Sequence, residues 1–390
     1  MDARPQPEPL FTARFAGLWL FAFVTFFSAF QLLPAIPFRI LELGGSKAAA
    51  GWFLSVYTYA SAFAAPVMGS LADHLGRRRA LVAASLLFIG FSLAYGLVTN
   101  FPLLLVIGAV HGAIWSTILA SSSALMSDYI PESRRAQGLA WWGLAGNSAI
   151  AVAPPAGLWI THTYGWTALC IELAVLSALM AIGGTRLSET RPHRPETRLT
   201  LAEAWDWRVT LVALALGVIG FGYGGVTSYA AILSIERHIT PASLYLTVAA
   251  IAVVFVRVFF SHLADRVGPK RILYPALAFA PVSFAVLAFA QQRWQLIVSA
   301  AIFGIVMGIA FPTFSSYILA HTDPRRRART FGSIVWAFDT GIGTGSLAIG
   351  AIGQRFGLTA AFIAAAAISC LSIPIFSAGS RRLARGGPAA

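Results

Sequence analysis

The chain has 390 residues, 57% of them hydrophobic and only 11% charged, with a formal net charge of +13. Soluble domains are about a quarter charged, so this composition argues against a soluble globular protein and for one embedded in a lipid bilayer. A nucleic-acid partner, which the net charge alone would suggest, is argued against too, because the basic residues sit in short loops between apolar runs and not together on one folded face.

The chain opens on a polar stretch, MDARPQPEPLFTAR, and the apolar run behind it is long enough to span and be retained, unlike a cleavable leader. A bilayer core takes about 20 apolar residues per helix. Runs of that kind predict helices over 15–38, 48–72, 80–98, 102–127, 136–160, 166–183, 209–235, 241–264, 272–290, 294–320, 331–353 and 358–376. Most connections are short, which makes consecutive helices antiparallel neighbours. The exception is 184–208, polar and charge-dense, which divides the chain into a six-helix bundle over 1–183 and a second over 209–390. The expected fold class is an all-α membrane protein, twelve transmembrane helices in two pseudo-symmetric bundles. Cys170 and Cys370 fall in apolar runs of different halves and are expected to be packing residues.

Basic residues set orientation, since Lys and Arg are retained on the cytoplasmic side. The clusters Arg77, Arg78 and Arg79, Arg134 and Arg135, Arg325, Arg326 and Arg327, and Arg381 and Arg382 all fall on one side of this arrangement. Arg39, Lys47, Arg237, Arg293 and Arg355 are left on the other. Both termini are therefore expected in the cytoplasm.

Two loops repeat. GSLADHLGRRRAL at 69–81 returns as SHLADRVGPKRIL at 261–273, an offset of 192, and PESRRAQG at 131–138 is echoed by DPRRRARTFG at 323–332 with an offset of 194. Two loops with nearly one offset indicate an internal duplication, which in a transporter places the substrate site between repeats that rock about it. The set Gly69, Asp73, Gly76, Arg77, Arg78 and Arg79 resembles the loop 2-3 signature of the major facilitator superfamily, G-x-x-x-D-[RK]-x-G-R-[RK]-[RK], with His74 at the usually basic position. Asp265, Arg266, Gly268, Lys270 and Arg271 form its relaxed second copy. The resemblance covers essentially the whole chain and implies a gating latch at these loops, with Asp128 as the acidic partner of Arg77.

Ala153, Pro154, Pro155, Ala156 and Gly157 resemble the G-P-x-x-G core found in helix 5 of exporters of that family, with Ala at the first Gly. Prolines bend the helix and small residues let a neighbour approach. Helix 4 departs from the exporter pattern, carrying Gly108 where many proton-coupled members have an arginine, with His111 shortly after. Another group must then carry the proton, or the protein is no proton antiporter.

Ionisable groups inside spans are costly and each needs an account. Asp339, in WAFDTGIGTGSLAIG, is a candidate for coupling or substrate binding, and His111 is a second, with a packed structural role the alternative for both. Glu172 is expected to be structural. Arg257 lies eight residues before Asp265, about 12 Å along a helix, and is assigned to bracing the gate, with contact to an anionic substrate as the alternative. The predicted cavity wall is aromatic with scattered neutral polar groups, its candidates Gln31, Trp115, Asn147, Tyr223, Tyr229, Phe314 and Trp336. Such a wall suits amphiphilic or weakly cationic molecules.

No P-loop, metal-ligand spacing or catalytic constellation occurs, so neither an enzyme nor an ATP-driven pump is expected. The expectation is a monomeric secondary transporter of the bacterial inner membrane, with no cofactor beyond an ion gradient, partnered by a small-molecule substrate, protons and the lipid bilayer. The favoured direction is proton-coupled efflux of amphiphilic compounds or metabolites, and the alternative is uptake of an organic acid or other nutrient.

Overall fold

The structure, a computed structural model, describes residues 9–190, 207–260, 266–322 and 327–385. Among these, the regular elements are helices: α1 Ala13–Glu42, α2 Lys47–Leu75, α3 Arg77–Leu97, α4 Phe101–Tyr129, α5 Arg135–Tyr164, α6 Trp166–Arg186, α7 Trp207–Glu236, α8 Leu244–Phe260, α9 Pro269–Phe289, α10 Arg293–Ala320, α11 Arg327–Ser369 and α12 Ser372–Arg385. Eight helical segments among the described residues are long and apolar enough to cross a membrane. Several starts are written locally. Thr12, Ser46 and Asn100 accept from the amides of Phe15, Ala49 and Leu103, satisfying donors that a helix N-terminus leaves open.

Two hydrophobic cores form, one from residues between Leu10 and Leu187, the other from residues between Val209 and Leu383. Two residues cross over: Ala50 of α2 packs in the second core and Ile342 of α11 in the first. They mark where the two groups of helices touch. The packing partners repeat, since α1 lies on α5 as α7 lies on α11, and α2 on α4 as α8 on α10.

The duplication also appears in backbone conformation. Gly76 (φ 91°, ψ 133°) joins α2 to α3, and Gly268 (φ 95°, ψ 140°) precedes α9 in the same conformation. Gly165 (φ 89°, ψ 170°) joins α5 to α6, and Gly357 (φ 82°, ψ 159°) interrupts α11 in the same way. Each pair lies 192 positions apart, and positive φ is costly for any residue with a side chain. Gly357 therefore divides α11 into two helices, the second continued by α12 after a short break at 370–371. The helical stretch after 357 reaches Arg385, farther than the predicted end at 376.

Equivalent carbonyls accept a side-chain bond in both groups, from unrelated donors. Trp166 Nε1 donates to the Tyr95 carbonyl at 2.9 Å, and in the second group Arg237 donates to the carbonyl of Leu287, the residue 192 positions on, at 3.0 Å. Arg237 also reaches the Ala288 and Ala290 carbonyls and the Thr359 hydroxyl, closing the C-terminus of α9 onto the helix after Gly357. A cation among terminal carbonyls satisfies exposed acceptors and the helix dipole together. Burial pushes the Arg237 pKa below the ordinary arginine value, with neighbouring Glu236 acting in the opposite sense.

Candidate functional site

The two groups meet chiefly along α2 and α11, with further contact between α5 and α8 and between α1 and α7. On α2, Gly51, Ser55, Tyr59 and Phe63 recur every fourth residue and so share one face. Ser346 Oγ donates to the Gly51 carbonyl at 2.8 Å, Ser55 Oγ donates to the Gly343 carbonyl at 2.7 Å, and the Tyr59 and Thr344 hydroxyls pair at 2.7 Å. Phe63 then meets Trp336 edge to face, ring centres 6.4 Å apart. From α7, Ser228 bonds Ser346 at 2.7 Å and Tyr229 donates to the Lys47 carbonyl at 2.8 Å, while Lys47 itself pairs with Glu236. A Cβ at Gly51 would collide with the Ser346 backbone and the Tyr229 hydroxyl, so only glycine permits this approach. The seam closes the sparsely charged end of the molecule.

Asp339 lies one turn before Gly343 in α11, half-buried, and forms no hydrogen bond or ion pair with another described residue. Its neighbour Phe338 stacks near Tyr223 and Phe311, with ring centres 6.0 and 5.3 Å away. Tyr57 of α2, from the other group, has a buried hydroxyl with no partner. Arg257 in α8 has a buried Nε without a partner and no acid within ion-pair distance among the described residues.

Other predicted residues sit away from this seam. Gln31 is fully buried, and its Nε2 donates to both Glu172 oxygens, at 3.1 and 3.2 Å. Gly157 lies against its backbone, where a Cβ would come within 2.6 Å of the Gln31 carbonyl oxygen. Gln31, expected on the cavity wall, ties α1 to α6, where its amide is a neutral donor for the half-buried carboxylate. Trp115 is packed inside the first group against Phe26 and Phe88, and Phe314 inside the second against Phe376. These rings belong to the two hydrophobic cores. Tyr229 is buried in the closing seam, Tyr223 and Trp336 flank it, and Pro154 and Gly69 are placed in α5 and α2. His111 is buried among Phe88, Phe91, Tyr57 and Tyr95 in the first group. Asp265 lies outside the described residues, as do the side chains of Asp73 and Asn147.

At the arginine-rich end the structure brings Arg77 and Asp128 together at 2.5 Å. The N-terminus of α3 is met by Glu189, whose Oε1 accepts from the Arg78 amide at 3.2 Å. Arg78 also donates to the Thr185 carbonyl at 2.6 Å, and Tyr129 to the Ser188 carbonyl at 2.6 Å. The first residues of the polar linker are thus docked on α3 and α4. Nothing local in the sequence marks Glu189, since its partner is more than a hundred residues away.

Comparison with known proteins agrees with this arrangement. The family model described as Major Facilitator Superfamily matches residues 18–280 and 212–386. An uncharacterised MFS-type transporter of Burkholderia mallei strain SAVP1 is 26% identical, covering 98% of this chain and 97% of its own. The multidrug resistance protein MdtG of Escherichia fergusonii is 24% identical, covering 94% of each. Among solved structures, a variant of the nucleoside transporter NupG superposes with a TM-score of 0.79 at 12% identity, covering 94% of this chain and 99% of that one. A POT family transporter in complex with 5-aminolevulinic acid gives 0.78 at 13% identity, covering 95% and 96%. At those identities the solved structures share the fold alone. With the family model matched across both groups of helices, the chain belongs to the Major Facilitator Superfamily and is a membrane transporter, not an enzyme.

Proposed function

We propose that this transporter exports small amphiphilic compounds or metabolites in exchange for protons. Two six-helix bundles, over 1–183 and 209–390, would move about the linker 184–208, giving twelve crossings with both termini in the cytoplasm of a bacterial inner membrane. The protein is proposed to act as a monomer. The observation that carries the reading is Asp339, an acid on the meeting helix α11 with no partner among the described residues. A bare carboxylate inside an apolar bundle is costly, and either a proton or a cationic group on a substrate relieves that cost. Both cannot occupy it at once, and mutual exclusion is the condition for exchange. The rings of Tyr223, Phe311, Phe338 and Trp336 around this stretch suit an amphiphilic cation. The likeness to a multidrug resistance protein, MdtG of Escherichia fergusonii, supports a range of small amphiphilic substrates.

The test is accumulation of fluorescent cationic dyes in an efflux-deficient bacterial host. Wild type should lower accumulation, and Asp339→Asn or a protonophore should each abolish the effect. Equal accumulation in wild type and empty vector across the panel would remove the broad exporter reading.

A second reading, proton-coupled uptake of an organic acid or other nutrient, draws on Arg257, whose Nε has no partner and could meet an anionic group. Under it, Arg257→Ala loses organic-acid uptake while leaving dye accumulation as in wild type. His111 contributes less to either reading, because its aromatic surroundings enclose it within the first bundle.

A further inference from the structure

We propose that the first group of helices holds one buried water molecule, bound between His111 and the hydroxyls of Ser28, Ser92 and Ser177. A cavity with about 10 Å³ of room for the centre of a water-sized sphere lies among α1, α3, α4 and α6, and these four residues form its polar wall. That volume is the size of a single water site, too small for a second molecule or an organic ligand. Each of the four is at least nine-tenths buried, at 8% exposure or less.

The imidazole supplies the independent reason for an occupant. Its Nδ1 pairs with the Tyr95 hydroxyl at 3.1 Å, and Tyr95 is itself held by Trp166 through its carbonyl. Its Nε2 is buried with no partner. Both imidazole nitrogens are polar, and in either neutral tautomer one donates and the other accepts. Left bare in an apolar bundle, Nε2 carries a desolvation cost that a hydrogen bond removes. Water can donate or accept, so it satisfies Nε2 whichever tautomer Tyr95 selects. The serines complete the two to four bonds that a buried water usually makes. The wall is mixed: Ala29, Leu32, Phe88 and Leu173 supply carbon and the four polar residues supply hydrogen-bonding groups, whereas engineered cavities that stay dry are lined by carbon alone. Under this assignment His111 is the hub through which four helices are tied by one molecule, which stiffens the first group as a unit.

The experiment has two arms on the full-length protein. A density map of the protein in lipid nanodiscs, at a resolution that shows ordered water, should contain one peak within hydrogen-bond distance of His111 Nε2. In the second arm, Ser92→Val fills the cavity. Filling a wet site strands Nε2 and lowers the thermal unfolding midpoint, whereas in a Tyr95→Phe, His111→Leu background, which lacks both the nitrogen and the hydroxyl bonded to the ring, Ser92→Val lowers the midpoint no further. A map with the cavity empty, or a midpoint raised by Ser92→Val, would overturn the proposal. Should strain alone depress Ser92→Val, the same drop persists in that background and an absent peak then rejects the water.

Discussion

Asp339 and Glu172 are both acids within apolar helices, and their surroundings separate them. Glu172 has the Gln31 amide across from it, whereas Asp339 has no bonded partner. Removing the amide by Gln31→Leu is expected to lower stability by about 1–3 kcal/mol, the usual cost of stripping a buried polar group of its partner. A drop in the thermal midpoint of the detergent-solubilised protein would register it, with Glu172→Gln much milder because the side-chain amide can still accept. At Arg237, loss of the fork that bonds three carbonyls and Thr359 should cost on the order of 3 kcal/mol in Arg237→Ala. Arg237→Lys should recover little of it, since an ammonium cannot reproduce the planar set of donors. An Arg237→Lys midpoint equal to wild type would sink that account. The sequence marks Glu172 and Asp339 as intramembrane acids, but which of them has a donor depends on a residue 141 positions away.

On the scale of elements, the closed end rests on the α2–α11 seam more than on its ion pair. Lys47 and Glu236 are 41% and 34% exposed, and pairs of that kind contribute about 0–1 kcal/mol. Lys47→Ala should therefore shift the balance between closed and open states by no more than about fivefold. Gly51→Val is different, because its methyl groups have no space between Tyr229 and Ser346. With Cys170 and Cys370 replaced and a cysteine placed at buried Thr58, an impermeant maleimide should label Gly51→Val at least about tenfold faster, which corresponds to a shift of only 1.4 kcal/mol. Equal labelling in the two backgrounds would show that the seam does not limit access. The spacing of Gly51, Ser55 and Tyr59 is visible in the sequence, yet which helix that face meets is not.

On the scale of the molecule, Gly357 turns one uninterrupted helical run into two members of the second bundle. If the run crosses and returns, a cysteine at Phe356, whose side chain is 66% exposed, labels from outside the cell. One at Arg381, also exposed, labels only after permeabilisation. Labelling of both positions from the same side of intact cells would refute the twelve-crossing arrangement. The pairing of Gly357 with Gly165 was available in the sequence as GLTA against GWTA, the same 192 positions apart, but Arg355 has no basic counterpart beside Gly165 to make the two loops look alike.

Composition, the spacing of apolar runs and the two charged loop copies were enough to indicate a helical membrane protein built by duplication, because a bilayer imposes helix length and hydrophobicity on the chain locally. The resemblance to the superfamily's loop signature added the transporter reading and the pairing of Arg77 with Asp128, which the structure brings together. Which aromatic and polar residues face the space between the halves was beyond them. In lipid, both faces of a helix are apolar, so periodicity does not distinguish a wall of the cavity from a core, and the partners of Trp115, Phe314 and Gln31 are visible only in the fold. That distinction arises only when helices far apart in the chain are brought side by side and their few polar groups find, or fail to find, a partner.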